Sequence, residues 1–237
     1  ATKRSMRKSS ARRKLRIAQV APLWFTVPPQ RYGGIERIVA SLCDGLADRG
    51  HDVTLFAAPG SKTKAKLVSV FPQSLIEAGV RWENPVWNLR NLSRAFELAN
   101  QGHFDIVHSH LDLWVLFFQG LTQVPTLSTM HNPLYRDNAE ASKDDRLRLF
   151  REEFQRTHIV FISDKARELA QVNFEHSHVV YNGIKTEHFA FNPKGGDHFI
   201  WIARMNKHKG PENAIAAAER LGAKLLLAGR IDQGQEG

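Results

Sequence analysis

The chain has 237 residues, of which 42% are hydrophobic, so it can form a packed core and is not an intrinsically disordered protein. No stretch reaches the length of about 18 apolar residues that a membrane-spanning helix needs. The net charge of +9 is uneven, because residues 1–14 carry seven basic residues and no acid. The rest of the chain is close to neutral.

Residues 1–14 are predicted to be a basic, disordered tail. Two functions stay open for it, binding to an anionic membrane surface and binding to nucleic acid. Its acid-free, serine-containing composition is also similar to that of a transit peptide. Cys43 is the single cysteine, which excludes an internal disulfide and favours a cytoplasmic location, peripheral to the membrane if the tail binds lipid. We interpret Cys43 as a small core residue.

The most informative segment joins a strand predicted at residues 15–21 to a helix predicted at residues 35–46. Gly33 and Gly34 stand at the start of this helix, where the absence of a Cβ lets a ligand approach the backbone. The first N–H groups of a helix have no partner within it, so an anion such as phosphate can bind there. A second strand is predicted at residues 52–56. The pattern therefore predicts a βαβ unit with a phosphate site in its first crossover.

Strand and helix patterns alternate along the following residues, which predicts an α/β protein with a Rossmann-like, doubly wound parallel sheet. The further helices are predicted at residues 86–100, 112–120, 144–156 and 164–172, the last with Asp164 as its N-cap. The further strands are predicted at residues 104–109, 126–130, 158–163 and 178–180. Residues 67–84 have no clear pattern.

A polar linker at residues 191–196 predicts a boundary between a first domain, residues 15–190, and the beginning of a second, residues 191–237. The second has strands predicted at residues 199–203 and 224–228, which we expect to pair in a sheet of their own. Between them a helix is predicted at residues 211–221, with Pro211 in its first turn. About 40 residues cannot enclose a core. We therefore expect this incomplete domain to need the first domain, a second copy or another polypeptide.

Six motifs carry a resemblance to a known family. The first contains Tyr32-Gly33-Gly34-Ile35-Glu36-Arg37, and the others lie at residues 46–53, 104–110, 129–132, 180–184 and 203–210. In this order they resemble the retaining, nucleotide-sugar-dependent glycosyltransferases of family four. The resemblance implies the two-domain GT-B architecture, with an acceptor-side first domain and a donor-binding second domain. The glutamate pair with which the family's second domain holds the donor is not found after Arg204, so the donor site expected here is partial.

The resemblance also implies roles for individual residues. Gly33 and Gly34 match the loop that contacts the donor diphosphate from the acceptor side, and Arg204 and Lys209 match the basic pair that binds it from the donor side. His131 matches a catalytic histidine that faces the donor sugar. The remaining candidates for the acceptor or the cleft are Tyr32, Glu36, His110, Asn132 and Asn182. No metal or other cofactor is implied, since the nucleotide diphosphate sugar is a co-substrate and the acceptor is a sugar or another small molecule.

Several alternatives stay open at this point. Gly33-Gly34 could be a structural turn, and Arg204 with Lys209 a solvated surface pair. His131 could be a core histidine, or a metal ligand together with His108, His110 and Asp112. The chain could also be a non-catalytic nucleotide-binding or interaction module derived from a glycosyltransferase. A dinucleotide dehydrogenase is disfavoured, because the first crossover lacks the Gly-x-Gly-x-x-Gly pattern.

Overall fold

The computed structural model describes residues 13–132, 149, 152, 154, 156–170 and 172–229. The basic tail predicted at residues 1–14 and the helix predicted at residues 144–156 lie almost entirely outside the described residues, so both stay predictions. The chain divides into two compact units, residues 1–184 and 185–237. This division falls after Ile184, a few residues before the boundary expected at residue 190.

The first unit contains a sheet of seven strands, all parallel to their neighbours. The strands are β1 (Arg16–Val20), β2 (Asp52–Phe56), β3 (Lys66–Val68), β4 (Ile106–Ser109), β5 (Thr126–Met130), β6 (His158–Phe161) and β7 (His176–Val179). Their spatial order is β3-β2-β1-β4-β5-β6-β7. From β1 the strands are first added on one side, as β2 and β3, and then on the other side, beginning with β4. Ligands of such sheets bind at the carboxyl ends of the strands beside this reversal of strand order.

Helices cover both faces of this sheet. Among its described residues, the helices of the first unit are α1 (Gly34–Asp48), α2 (Val86–Asn100), α3 (Leu116–Gln119) and α4 (Asp164–Leu169). Side chains alternate between the two faces of a strand. Accordingly, Val53 and Leu55 of β2 belong to the core cluster that includes Cys43 of α1, whereas Phe56 belongs to the cluster that includes Leu92 of α2. The predicted Rossmann-like, doubly wound fold class is therefore confirmed.

Cys43 is fully buried in this core. Burial raises the pKa of its thiol to about 12, so the thiolate needed for nucleophilic chemistry is not formed near neutral pH. The interpretation of Cys43 as a core residue is confirmed.

Two local predictions are corrected by the structure, and one strand is added that the sequence did not indicate. The N-cap of α4 is Ser163 and not Asp164, because the chain is still extended at Ser163 and its hydroxyl accepts the N–H of Ala166 at 3.0 Å. The helix predicted at residues 112–120 is a 3₁₀ turn, Asp112–Val115, followed by the single turn of α3. The added strand is β3, at the edge of the sheet. The sequence did not indicate it, because its three residues are too few to show a pattern.

The second unit contains β8 (His198–Ile202), α5 (Pro211–Leu221) and β9 (Lys224–Ala228). The two strands pair in parallel in a sheet of their own, as the sequence predicts. Large apolar side chains on all three elements stay exposed: Phe199, Ile200, Ile202, Ile215, Leu221 and Leu226. Among the residues that the structure describes, no helix is long and apolar enough to cross a membrane.

Candidate functional site

Gly33 is the N-cap of α1, at the end of the loop that follows β1. Its backbone has φ 141° and ψ 84°, in the region that L side chains rarely adopt. A Cβ at this position would lie 2.8 Å from Cβ of Pro29 and 2.9 Å from Oε2 of Glu36. Both the backbone conformation and the surrounding atoms therefore require glycine here.

Gly34 is the first residue of α1 and is exposed. It has no positive φ, and among the described residues nothing lies within 4 Å of the position that its Cβ would occupy. Of the two glycines, only Gly33 has a backbone conformation that requires glycine. What Gly34 provides is open space in front of the N-terminus of a helix of 15 residues, where an anion is favoured.

Glu36 is directly beneath this loop and is only 4% exposed. Burial raises the pKa of its carboxyl group to about 7, although a hydrogen bond with its own backbone N–H acts in the opposite direction. Glu36, a candidate for the open cleft, therefore packs under Gly33 and supports the loop from inside. Tyr32, on the other side of Gly33, is 42% exposed and its ring lies 5.7 Å from the ring of Phe25.

Three histidines and a glutamine form a hydrogen-bonded network at the carboxyl ends of β1, β4 and β5. Gln19 of β1 is the centre of this network. Its Nε2 lies 3.2 Å from Nδ1 of His108, and its Oε1 lies 2.8 Å from Nε2 of His110. Nδ1 of His110 lies in turn 2.9 Å from Nε2 of His131, and Nε2 of His108 lies 2.8 Å from Oγ1 of Thr129.

The partners in this network assign the proton of each imidazole ring. The amide oxygen of Gln19 only accepts, so His110 carries its proton on Nε2 and its Nδ1 is an acceptor. His131 must then donate from Nε2, which leaves Nδ1 of His131 with a lone pair. By the same argument the amide of Gln19 donates to Nδ1 of His108, and Nε2 of His108 donates to Thr129.

All three histidines are neutral near pH 7. Burial is the largest cause, and it lowers the pKa of His108 and of His131 to about 4 each. The pKa of His110, which is 1% exposed, is lowered further. A neutral His131 can accept a hydrogen bond from a hydroxyl group through Nδ1, and it adds no positive charge to the site.

Asp112 holds the segment that follows β5. Its Oδ1 accepts the backbone N–H groups of His131 at 2.9 Å and of Asn132 at 3.3 Å, and its Oδ2 accepts the side-chain amide of Asn132 at 2.6 Å. The backbone of Asp112 has φ 43°, which is uncommon for a residue other than glycine. These contacts fix the position of His131 and of the exposed Asn132.

The contacts of the histidine cluster can be compared with the alternative that it binds a metal ion together with Asp112. The ring nitrogens of His108 and His110 are engaged by protein partners, and the carboxylate of Asp112 accepts N–H groups. In the described part of the chain, no group of three or more His, Cys, Asp or Glu side chains is arranged to hold a metal ion.

In the second unit, a basic loop joins β8 to α5. Arg204 is partly buried and Lys209 is exposed. The side chain of Asn206 accepts the N–H of Lys209 at 3.1 Å, and the indole of Trp201 donates to the carbonyl of Lys209 at 3.3 Å. Gly229, after β9, lies against the start of this loop, because a Cβ there would overlap the carbonyl oxygen of Ala203. The loop is therefore held on several sides. Asn182, the remaining candidate, is exposed after β7.

Sequence reasoning missed Gln19 and the hydrogen bonds of Asp112 with His131 and Asn132. A glutamine inside an otherwise apolar strand was the available signal for Gln19, which is fully buried. The contacts of Asp112 join residues that are far apart in sequence, so no local pattern indicates them.

A parallel α/β sheet with a glycine-capped helix beside its topological reversal defines a Rossmann-like protein. Comparison with protein families matches residues 32–188 to Glycosyltransferase Family 4. This match covers more than half of the chain, and the chain belongs to this family. The family predicted from the motifs is thereby confirmed.

The solved structures that are similar to the chain include two glycosyltransferases. AviGT4, a glycosyltransferase involved in avilamycin A biosynthesis, has a TM-score of 0.61 and 25% identity, over 92% of this chain and 57% of its own. A glycosyltransferase from Rickettsia africae ESF-5 has a TM-score of 0.56 and 16% identity, over 93% of this chain and 69% of its own, and this likeness supports the fold alone. The chain thus spans 57% of the length of AviGT4. No curated protein gives a significant match.

Proposed function

We propose that the protein containing this chain transfers a sugar from a nucleotide diphosphate sugar to a sugar or small-molecule acceptor, with retention of the anomeric configuration. The observation that carries this proposal is the start of α1. There Gly33 shapes the loop and Gly34 leaves open space before a helix N-terminus, at the carboxyl end of β1. Membership of Glycosyltransferase Family 4 supports the same reaction.

The diphosphate of the donor binds at this helix N-terminus. When the sugar leaves, negative charge gathers on the diphosphate, and fixed N–H groups stabilise that charge more than they stabilise the ground state. In the second unit, Arg204 and Lys209 bind the diphosphate through charge-assisted hydrogen bonds. The nucleotide sugar is a co-substrate, and the reaction needs no further cofactor.

His131 orients the donor sugar. Its neutral ring presents the lone pair of Nδ1, which accepts a hydrogen bond from a sugar hydroxyl, while His110 and Asp112 fix its position. His110 is buried and acts only through His131. Tyr32 and Asn132 are exposed and contact substrate, whereas Glu36 supports the loop. Asn182, which is exposed near the end of the first unit, contacts substrate as well.

Retention follows from a transfer on one face of the sugar. The bond between the anomeric carbon and the diphosphate oxygen breaks, the acceptor oxygen forms its bond to the same carbon from the same face, and the acceptor proton passes to the departing diphosphate. This route needs no carboxylate nucleophile. A retaining mechanism with two carboxylates would place them about 5–5.5 Å apart at the site. The carboxylates described here, Asp112 and Glu36, are instead engaged by backbone N–H groups.

The exposed apolar side chains of β8, β9 and α5 indicate a surface that is covered in the active protein. We propose that further polypeptide of the donor-binding domain, from the same chain, a second copy or another protein, packs on it. The protein acts in the cytoplasm, and the basic residues 1–14 add an affinity for anionic membranes.

A transfer assay tests the proposal. The protein is incubated with UDP-, GDP-, ADP- and dTDP-sugars and a panel of sugar acceptors, and NMR follows nucleoside diphosphate release and the anomeric configuration of the product. Retained configuration, with turnover lowered at least about tenfold by Gly34→Val, supports the proposal. The matched control is Gly120→Val, because Gly120 also has no described neighbour within 4 Å of its Cβ position and lies away from the site, before β5. An inverted product contradicts the mechanism, and nucleotide binding without any transfer favours a non-catalytic module.

A further inference from the structure

Four aromatic side chains lie together at the carboxyl end of β1, and we call this group the aromatic platform: Trp24, Phe25, Tyr32 and Trp82. The ring centroids of Trp24 and Trp82 are 4.3 Å apart, with the planes inclined at 38°. Phe25 lies 6.0 Å from Trp82 and 5.7 Å from Tyr32. Because Tyr32 directly precedes Gly33, the platform is continuous with the loop that begins α1.

The platform faces solvent. Trp82 is 48% exposed and Tyr32 is 42% exposed, although both are large aromatic residues. Exposed apolar surface that is contiguous, and not scattered over single residues, is typical of binding sites.

The backbone beneath the platform is fixed on both sides of Trp24 and Phe25. Leu23 is fully buried; its N–H donates to Oδ1 of Asn88 at 2.9 Å, and its carbonyl accepts the N–H of Leu75 at 2.9 Å. Val27 is also fully buried, and its N–H donates to Oγ of Ser61 at 2.8 Å. The backbone that carries Trp24 and Phe25 is therefore held in place before any ligand arrives, which lowers the entropy lost on binding.

We propose that the aromatic platform binds a pyranose ring of a saccharide acceptor, stacked on Trp82. This proposal rests on the proposed function and extends it by naming the class of acceptor and the side chains that recognise it. A pyranose combines a C–H face, which packs on an aromatic ring, with hydroxyl groups around its rim.

The surroundings of Trp82 favour a saccharide over an acyl chain. Arg81 and Glu83 flank Trp82 in the sequence, form an ion pair of 3.5 Å and are 87% and 75% exposed. Such groups can exchange hydrogen bonds with the hydroxyls of a sugar, whereas an acyl chain would only desolvate them. The exposed Arg31, directly before Tyr32, adds a further polar group at the opposite end of the platform.

Saturation-transfer NMR on the full chain, without nucleotide, tests this proposal. The probes are the methyl glycosides of glucose, galactose, mannose, rhamnose and N-acetylglucosamine, the disaccharides maltose and cellobiose, and n-octanol as a sugar-free apolar probe. We expect at least one saccharide to receive saturation mainly on the C–H protons of one ring face. Trp82→Ala should weaken its binding about tenfold and Trp82→Phe much less, because the second variant keeps an aromatic ring.

Trp114→Ala is the matched control, because Trp114 is 41% exposed in the same unit and contributes no ring to the platform. Unchanged saccharide binding in this variant supports the proposal. Equal losses in Trp82→Ala and Trp114→Ala, binding of n-octanol alone, or no contact with any saccharide would each overturn it. The measurement needs no donor and no turnover. If the protein transfers a sugar in the transfer assay but binds no saccharide in this experiment, the proposal for the aromatic platform is wrong and the proposed function stays intact.

Discussion

Nε2 of His131 lies 2.9 Å from Nδ1 of His110, and this contact places the catalytic candidate at the end of a hydrogen-bonded chain that begins at Gln19. The chain crosses three adjacent strands, β1, β4 and β5, at their carboxyl ends. Its direction is set by the amide oxygen of Gln19, which can only accept. The ring of His131 is therefore oriented by the sheet itself, with Nδ1 left as an acceptor.

The first prediction concerns the protonation of His131. Burial lowers its pKa from 6.5 to about 4, so its ring stays neutral and protonated on Nε2 at pH 6. Because the unfolded chain takes up this proton first, the contribution to stability is lost as the pH falls from 6.5 towards 4. Nitrogen-15 NMR of the imidazoles at pH 5 to 8 checks this. A ring of His131 that titrates near pH 6.5 contradicts the network.

The second prediction concerns Gln19. The variant Gln19→Leu removes one buried hydrogen-bond partner from each of His108 and His110, and we expect the free energy of unfolding to fall by about 1–3 kcal/mol. Gln123→Leu is the control, because Gln123 is exposed. Urea unfolding followed by circular dichroism measures both. If the two variants are equally stable, the network does not contribute to the fold.

The third prediction uses the buried carboxyl group of Glu36. Its pKa is raised from 4.5 to about 7, so between these values the folded protein holds a proton that the unfolded chain has released. Stability therefore falls as the pH rises through this window, by about 3 kcal/mol. Glu36→Gln removes this effect. We therefore expect the free energy of unfolding of the variant, measured relative to wild type, to increase by the same amount between pH 4.5 and pH 8. A difference between the two proteins that does not vary with pH would show that Glu36 ionises normally.

The fourth prediction separates the two glycines of the loop. Gly33→Ala meets Pro29 and Glu36 and adopts an unfavourable φ, so we expect the free energy of unfolding to fall by about 1–3 kcal/mol. Gly34→Ala meets no described atom within 4 Å and should be neutral or slightly stabilising. Thermal unfolding of both variants decides, and similar losses at the two positions would contradict the conformation of the loop.

Much of the fold could be predicted from local patterns. The predicted strands lie within about two residues of the observed ones, because buried parallel strands appear as apolar runs. Gly33 and Gly34 were identified because a glycine pair between a strand and an amphipathic helix has a local physical meaning. Which of the two glycines is strained depends on Pro29 and Glu36 packing around the loop, and the sequence does not show that contact.

The parts that sequence reasoning missed depend on contacts between distant residues. Gln19 meets His108 and His110 only because β1 and β4 are neighbours in the sheet. Trp24 meets Trp82 only because the loop before α2 returns to the end of β1. The choice of Ser163 over Asp164 as the N-cap depends on where the extended conformation ends, and the backbone is still extended at Ser163, two residues beyond the end of β6.

The central claim is that the loop at Gly33-Gly34 binds the diphosphate of a nucleotide sugar. Isothermal titration of UDP, GDP and ADP into wild type, Gly34→Val and Gly120→Val tests it most directly. We expect at least one of these nucleotides to bind wild type and Gly120→Val with equal affinity. The same nucleotide should bind Gly34→Val at least about tenfold more weakly, because the valine side chain occupies the space in front of the helix. Equal affinities for wild type and Gly34→Val would contradict it.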